Sequence, residues 1–167
     1  MSPVWSGQQQ KRLSLPRFGY SMVGLDETKA VKASLREVNI SPKKARELVK
    51  GIVGMRIPQA REYLEGVAEM RASVPFRRYN KEVGHHRGQQ GYAAGGYPIK
   101  PAKYMLKLID QLEANADFKG LDAERLRIVH ASALRGRKIP KFIPRAFGRS
   151  SPYMRELTHI EVVAEDR

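Results

Sequence analysis

No cysteine occurs in the chain, which excludes disulfide frameworks and thiolate metal sites. No apolar run approaches the roughly 18 residues that mark a membrane-spanning helix. The opening stretch "MSPVWSGQQQKRLSLPRFGYSM" has no apolar segment of the kind a secretory signal needs. Acid is scarce as well: 17 Asp and Glu stand against 31 Lys and Arg, a formal net charge of +14. A field of that sign favours polyanions, so nucleic acid or an anionic membrane surface heads the range of partners. A cytoplasmic location is expected, with no membrane segment.

What is present suffices for one domain. A chain of 167 residues, 41% of them apolar, can bury a real core but hardly two. Residues 1–25 read as a basic N-terminal extension and residues 26–167 as a single globular domain. "AVKASLREV" (30–38) alternates, with Val31, Ala33 and Leu35 on one side and Lys32, Ser34 and Arg36 on the other, which predicts a half-buried strand. "SPKKARELVKGIVG" (41–54) predicts a helix with Ser41 as N-cap, Pro42 in the first turn and Gly54 at the stop. A second helix is predicted over 57–70 and a third from about Lys100 to Lys119, opened by Pro101 and closed by Gly120. "RLRIVHASAL" (125–134) and "LTHIEVVAE" (157–165) have the β-branched character of strands. The fold class expected is α+β: three helices packed on a small antiparallel sheet, with a long protruding β-hairpin and a long basic loop.

The loop is residues 71–100, rich in Gly and Pro yet carrying four aromatics, which argues for an ordered functional segment. The hairpin spans about 132–156, with arms on the order of 35–40 Å at the usual strand rise. Pro140 and Pro144 are an even number of residues apart, so their missing N–H groups blunt the same edge. A two-stranded ribbon that long is marginal alone in water, so a partner must surround it.

Site chemistry of other kinds finds little support. His85 and His86 are adjacent and poorly placed to share one ion, and no cysteine is available beside them, so no metal is expected. "GQQGYAAGGY" (88–97) lacks the Lys-Ser/Thr of a phosphate-binding loop. Glu47, Glu62, Glu65, Asp110 and Glu113 are expected on solvated helix faces, and no nucleophile motif appears. No catalytic residue and no cofactor is assigned.

The basic stretches are the signal. Between Arg125 and Arg155 lie nine Lys and Arg and no acid, and between Arg71 and Lys107 eight against the single Glu82. Solvated faces normally mix signs. One-signed stretches interleaved with aromatics suit RNA, because Arg forks bind phosphates and rings stack on unpaired bases. The expected RNA anchors are Arg77, Arg78, Lys81, His85, His86, Arg87, Lys100 and Lys103 in the loop and third helix. In the hairpin they are Arg135, Arg137, Lys138, Lys141, Arg145, Arg149 and Arg155, with Phe142, Tyr153 and Phe147 stacking or wedging against bases.

Six stretches also carry a family resemblance: "SPKKARELVKGIVG", "VPFRRYNKEVGHHRG", "GGYPIKPAKYMLKLID", "LRIVHAS", "IPRAFGRSSPY" and "THIEVVAEDR". The chain resembles the universal large-subunit ribosomal protein family numbered twenty-two in the bacterial scheme and seventeen in the eukaryotic one. Its basic aromatic loop is similar to that of the archaeal and eukaryotic branch. The resemblance implies a structural, non-enzymatic protein on the cytoplasmic ribosome that binds 23S-type rRNA and helps the large subunit assemble. It implies neighbouring large-subunit proteins as partners and a hairpin tip that lines the peptide exit tunnel beside the nascent peptide. By motif position that tip is Pro144, Arg145, Ala146, Phe147, Gly148 and Arg149. Relatives often carry a basic residue where this chain has Gly96. A free-standing nucleic-acid chaperone, separable from the subunit by a high-salt gradient, is the alternative. A processing enzyme would need carboxylates such as Glu82 or Asp122 converging on a metal.

Overall fold

Alternation in the sequence becomes a sheet with two unlike faces. The computed structural model describes residues 19–86 and 91–166. Most of the expected N-terminal extension (residues 1–18) and the expected anchor Arg87 therefore lie outside the described residues. Strand β1 (Ala30–Val38) pairs antiparallel with β5 (Ser150–Asp166), which pairs antiparallel with β4 (Leu126–Pro144), giving the order β1-β5-β4. Val31 stands opposite Ala164, Ala33 opposite Val162 and Leu35 opposite Ile160, and Ile128 opposes Ala164 from the other side. Paired residues share a face, so these side chains line the surface turned toward the helices.

Helices α1 (Pro42–Ile52), α2 (Ile57–Ala68) and α3 (Ile99–Lys119) cover that surface. Leu48 and Ile52 of α1, Leu64 of α2, and Met105, Leu108, Ile109 and Leu112 of α3 are buried in one cluster with Leu126, Ile128 and Ile160 of the sheet. The architecture is α+β, as expected. Pro42 and Pro58 sit in the first turns of α1 and α2, where their missing N–H costs no helical bond. Gly120 ends α3 in the left-handed region at φ +70°, which suits a residue without Cβ. Ser41 has the extended backbone of an N-cap but makes no side-chain capping bond; its side chain lines a surface cleft instead.

The sheet's other face is covered in part by the segment before β1. The backbone N–H and hydroxyl of Ser21 both donate to the carboxylate of Glu161, which is only 1% exposed. Ser132 donates a further bond to it at 2.8 Å, and His130 Nε2 lies 3.5 Å away. Burial alone would raise the Glu161 pKa, but the hydrogen bonds from Ser21, Ser132 and His130 outweigh it and hold the carboxyl below its usual value.

A candidate nucleic-acid interface

The basic loop is an ordered structure with an acid at its centre. Two short strands, β2 (Val74–Pro75) and β3 (Gly95–Gly96), pair across its ends, and His85 bridges to Ala94 within it. Phe76 is buried in the core and tethers the loop from below. Glu47 of α1 reaches up and accepts the backbone N–H groups of Arg77 at 3.0 Å, Arg78 at 3.2 Å and Tyr79 at 3.2 Å. The expectation that Glu47 lies on a solvated helix face is therefore corrected: it is 2% exposed. The loop folds over it and brings three donors, the condition under which a carboxylate can be buried.

With its backbone fixed, the loop turns its cations outward. Arg77, Arg78, Lys81 and His85 are exposed, while His86 is half-buried with its ring edge-on to Tyr97 at 5.1 Å. The Arg77 guanidinium lies 4.6 Å from the Tyr92 ring centre and donates to its hydroxyl. Tyr79 is flanked by Lys43 and Arg78 at 5.7 and 5.8 Å. These rings hold the cations over the surface without neutralising them. Gly96 lies beneath the Phe76 ring, where an added Cβ would be in ordinary contact at 3.6 Å.

The hairpin leaves the body where β1 ends. Val38 opposes Thr158, which is also the partner of Arg135. A bulge at Gly136–Arg137 follows, and β4 and β5 then continue as two strands to Pro144 opposite Ser150. The tip is a 3-10 turn over Ala146–Gly148, with Phe147 at φ +57° and Gly148 at φ +69°. Gly148 suits that conformation, while Phe147 adopts it at a cost and points almost wholly into solvent.

Every expected hairpin anchor is exposed, but the cations divide into two groups. At the root, Arg135 and Lys138 lie 3.9 and 3.7 Å from Glu156, and Arg137 lies 3.7 Å from Glu37. Arg155 donates to the side chain of Asn39 at 2.8 Å. Farther out, Lys141, Arg145 and Arg149 have no acid in ion-pair range among the described residues. Of the four hairpin cations without an acid in range among the described residues, Lys141, Arg145 and Arg149 lie toward the tip, and Arg155, bonded to a neutral amide, lies at the root.

The prolines do more than the sequence spacing implied. Arg145 donates its N–H to the carbonyl of Arg149 at 2.8 Å, which fixes the odd-numbered residues of this arm as the hydrogen-bonded pairs. Pro140 opposite Met154, Phe142 opposite Pro152 and Pro144 opposite Ser150 are then the alternate pairs, whose N–H groups point outward. Pro140 and Pro144 remove donors from the outer edge of β4, as expected, and Pro152 does the same for β5.

The start of α3 and the hairpin flank a cleft of about 500 Å³, lined among others by Lys100, Lys141, Tyr153, Met154 and Arg155 and by one acid, Glu156. Residues far apart in sequence are joined there into one basic surface. The N-termini of α1 and α3 face the same region and carry no acid in their first turns. Lys103 is exposed one turn into α3. The sequence reading missed the Glu161 cluster and the covering segment around Ser21. The only available signal was an acid inside an apolar strand, "HIEVVAE".

Among the described residues no cluster of three or more His, Asp or Glu stands ready to hold a metal, and no helix is long and apolar enough to cross a membrane. The fold and its basic surface define a class: strongly basic α+β proteins with a projecting ribbon whose outer cations have no acid in ion-pair range among the described residues. The comparisons narrow the class. The ribosomal protein L22p/L17e family matches residues 33–165, and the chain belongs to it. It is 49% identical over 155 residues to large ribosomal subunit protein uL22 of Archaeoglobus fulgidus, covering 93% of this chain and 100% of that one. It is 51% identical over 149 residues to the uL22 of Cenarchaeum symbiosum, covering 89% and 97%. The figure for Thermofilum pendens is 49% over 152 residues, covering 91% and 99%. The protein is accordingly a structural component of the large ribosomal subunit, not an enzyme.

Proposed function

We propose that the protein binds large-subunit rRNA through one continuous basic surface, running from the Arg77–Arg78 loop through the Lys100–Lys141 cleft to the hairpin tip. The body, residues 26–167, acts as a single domain seated on RNA, and the hairpin reaches into the subunit to line the nascent-peptide exit tunnel. Pro144, Arg145, Ala146, Phe147, Gly148 and Arg149 form the part beside the passing peptide. By contacting RNA from loop, cleft and hairpin at once, the protein ties separate RNA segments together during assembly and sits beside other large-subunit proteins. The observation that carries this reading is the set of exposed tip cations with no acidic partner among the described residues, on a ribbon that projects past its own core.

The test is binding of the full chain to large-subunit rRNA across a salt series. With about eight phosphates engaged, log affinity is expected to fall with log salt at a slope of roughly −6 to −7. A flat response counts against the reading. Photo-crosslinking from residues 142–149 inside assembled subunits then tests the tunnel assignment, which requires adducts with the nascent peptide at the tip.

A further inference from the structure

The register of the hairpin divides its ribbon into two chemically different faces. In the two-stranded region, side chains of paired residues lie on one face and alternate along each strand. Lys141 opposite Tyr153 and Ile139 opposite Arg155 share one face, and by the same alternation Arg145 and Arg149 continue it to the tip. Pro140 opposite Met154, Phe142 opposite Pro152, and Pro144 opposite Ser150 make the other. Phe142 is 70% exposed and Met154 53%. One face carries Lys141, Arg145, Arg149 and Arg155 together with Ile139, Ile143 and Tyr153; the other, beyond the Lys138–Glu156 pair at its root, is an uncharged strip of Pro, Phe, Met and Ser150. Phe142 and Tyr153, grouped together in the sequence reading, are on opposite sides.

We propose that the two faces take two different parts of the same RNA: phosphates on the Lys141–Arg145–Arg149 face, and the flat surfaces of unpaired bases on the Phe142–Met154 face. This rests on the RNA-binding reading above. The charges argue for a common partner. The ribbon is two strands wide, and three of its four cations without an acid in range among the described residues lie at the tip end, so a polyanion drawn to one face also closes around the other. The apolar surface that a polyanion offers is its base faces, and an aromatic ring flanked by prolines stacks on any base. An added protein strand is disfavoured, because Pro140, Pro144 and Pro152 remove donors from both edges.

Two probes separate the faces: large-subunit rRNA, which has phosphates and bases, and inorganic polyphosphate, which has phosphates alone. The double variant Phe142→Ala, Met154→Ala is expected to bind rRNA about tenfold or more weakly, with an unchanged salt slope and unchanged polyphosphate binding. The double variant Lys141→Gln, Arg149→Gln is expected to weaken both probes and to reduce the salt slope by about 0.7 for each residue. Circular dichroism matching the parent chain confirms that both variants are folded. The proposal is overturned if the apolar-face variant binds rRNA as the parent does, or loses rRNA and polyphosphate equally. If the parent chain itself fails to bind rRNA, the functional reading falls, and this inference with it.

Discussion

The carboxylate of Glu47 accepts the backbone N–H of Arg77 at 3.0 Å, and this one contact joins the core of the body to the most basic loop on its surface. Arg78 and Tyr79 donate to the same carboxylate. Glu47 thus fixes the backbone from which two exposed arginines project, although it touches no partner itself. Replacing it with Ala removes the acceptor of three backbone donors at once. The expected loss is about 2–3 kcal/mol of stability, from bonds to a charged acceptor and from unsatisfied N–H groups. Urea denaturation measures that loss, and faster hydrogen exchange at Arg77, Arg78 and Tyr79 shows that it is local to the loop.

Gly136 governs where the hairpin departs. An added Cβ would stand 2.9 Å from His159 Nε2 and 3.3 Å from the Leu157 carbonyl oxygen. His159 Nδ1 also accepts the Glu37 N–H at 3.0 Å, so its ring cannot yield without disturbing β1. Gly136→Ala is expected to cost about 1–3 kcal/mol through overpacking. Chemical denaturation reads the loss. A stability equal to the parent's would mean that the ring moves freely.

These two sites show what the sequence could and could not reveal. Helices and strands were legible because their periods repeat within a few residues: Leu48 and Ile52 fall on one turn face, and Val31, Ala33 and Leu35 alternate. The burial of Glu47 was not legible, since it depends on a loop thirty or so residues away folding back over α1. The division of the ribbon was likewise hidden. Phe142 and Tyr153 can be placed on faces only once the register is known, and the register depends on the geometry of the Arg145–Arg149 turn. That the Lys and Arg residues of the loop and hairpin stand exposed was legible from their charge. Their assembly around the Lys100–Lys141 cleft was not, because it requires the start of α3 and the hairpin to flank one space.

Glu161 makes stability depend on acid. Its hydrogen bonds from Ser21, Ser132 and His130 hold the folded-state pKa below the ordinary value of 4.5. The stabilisation is therefore fully present above the unfolded-state value and is lost as pH falls through the depressed folded-state value. Glu161→Gln is expected to be less stable than the parent at neutral pH, with the gap narrowing as pH drops below the ordinary value of 4.5. Thermal unfolding of both proteins from neutral pH down to about pH 3 checks this. A gap that stays constant across the range would show that the carboxylate's charge contributes nothing.

The hairpin and the body are separable in energy though continuous in chain. From Thr158 toward the tip the ribbon has no third strand among the described residues, and none of residues 139–155 belongs to the buried cluster built from α1, α2, α3 and the three-stranded sheet. Replacing residues 140–154 with a short Asn-Gly turn, which joins the paired residues Ile139 and Arg155, is therefore expected to leave the cooperative unfolding of the body in place, because the buried apolar area that drives it is untouched. The same deletion removes Lys141, Arg145 and Arg149, three hairpin cations without acidic partners among the described residues. The salt slope for rRNA binding should then fall in magnitude by about 2. Two measurements on one variant decide the matter. Loss of cooperative unfolding would show that the ribbon helps hold the body together, and an unchanged slope would show that these cations do not meet phosphate.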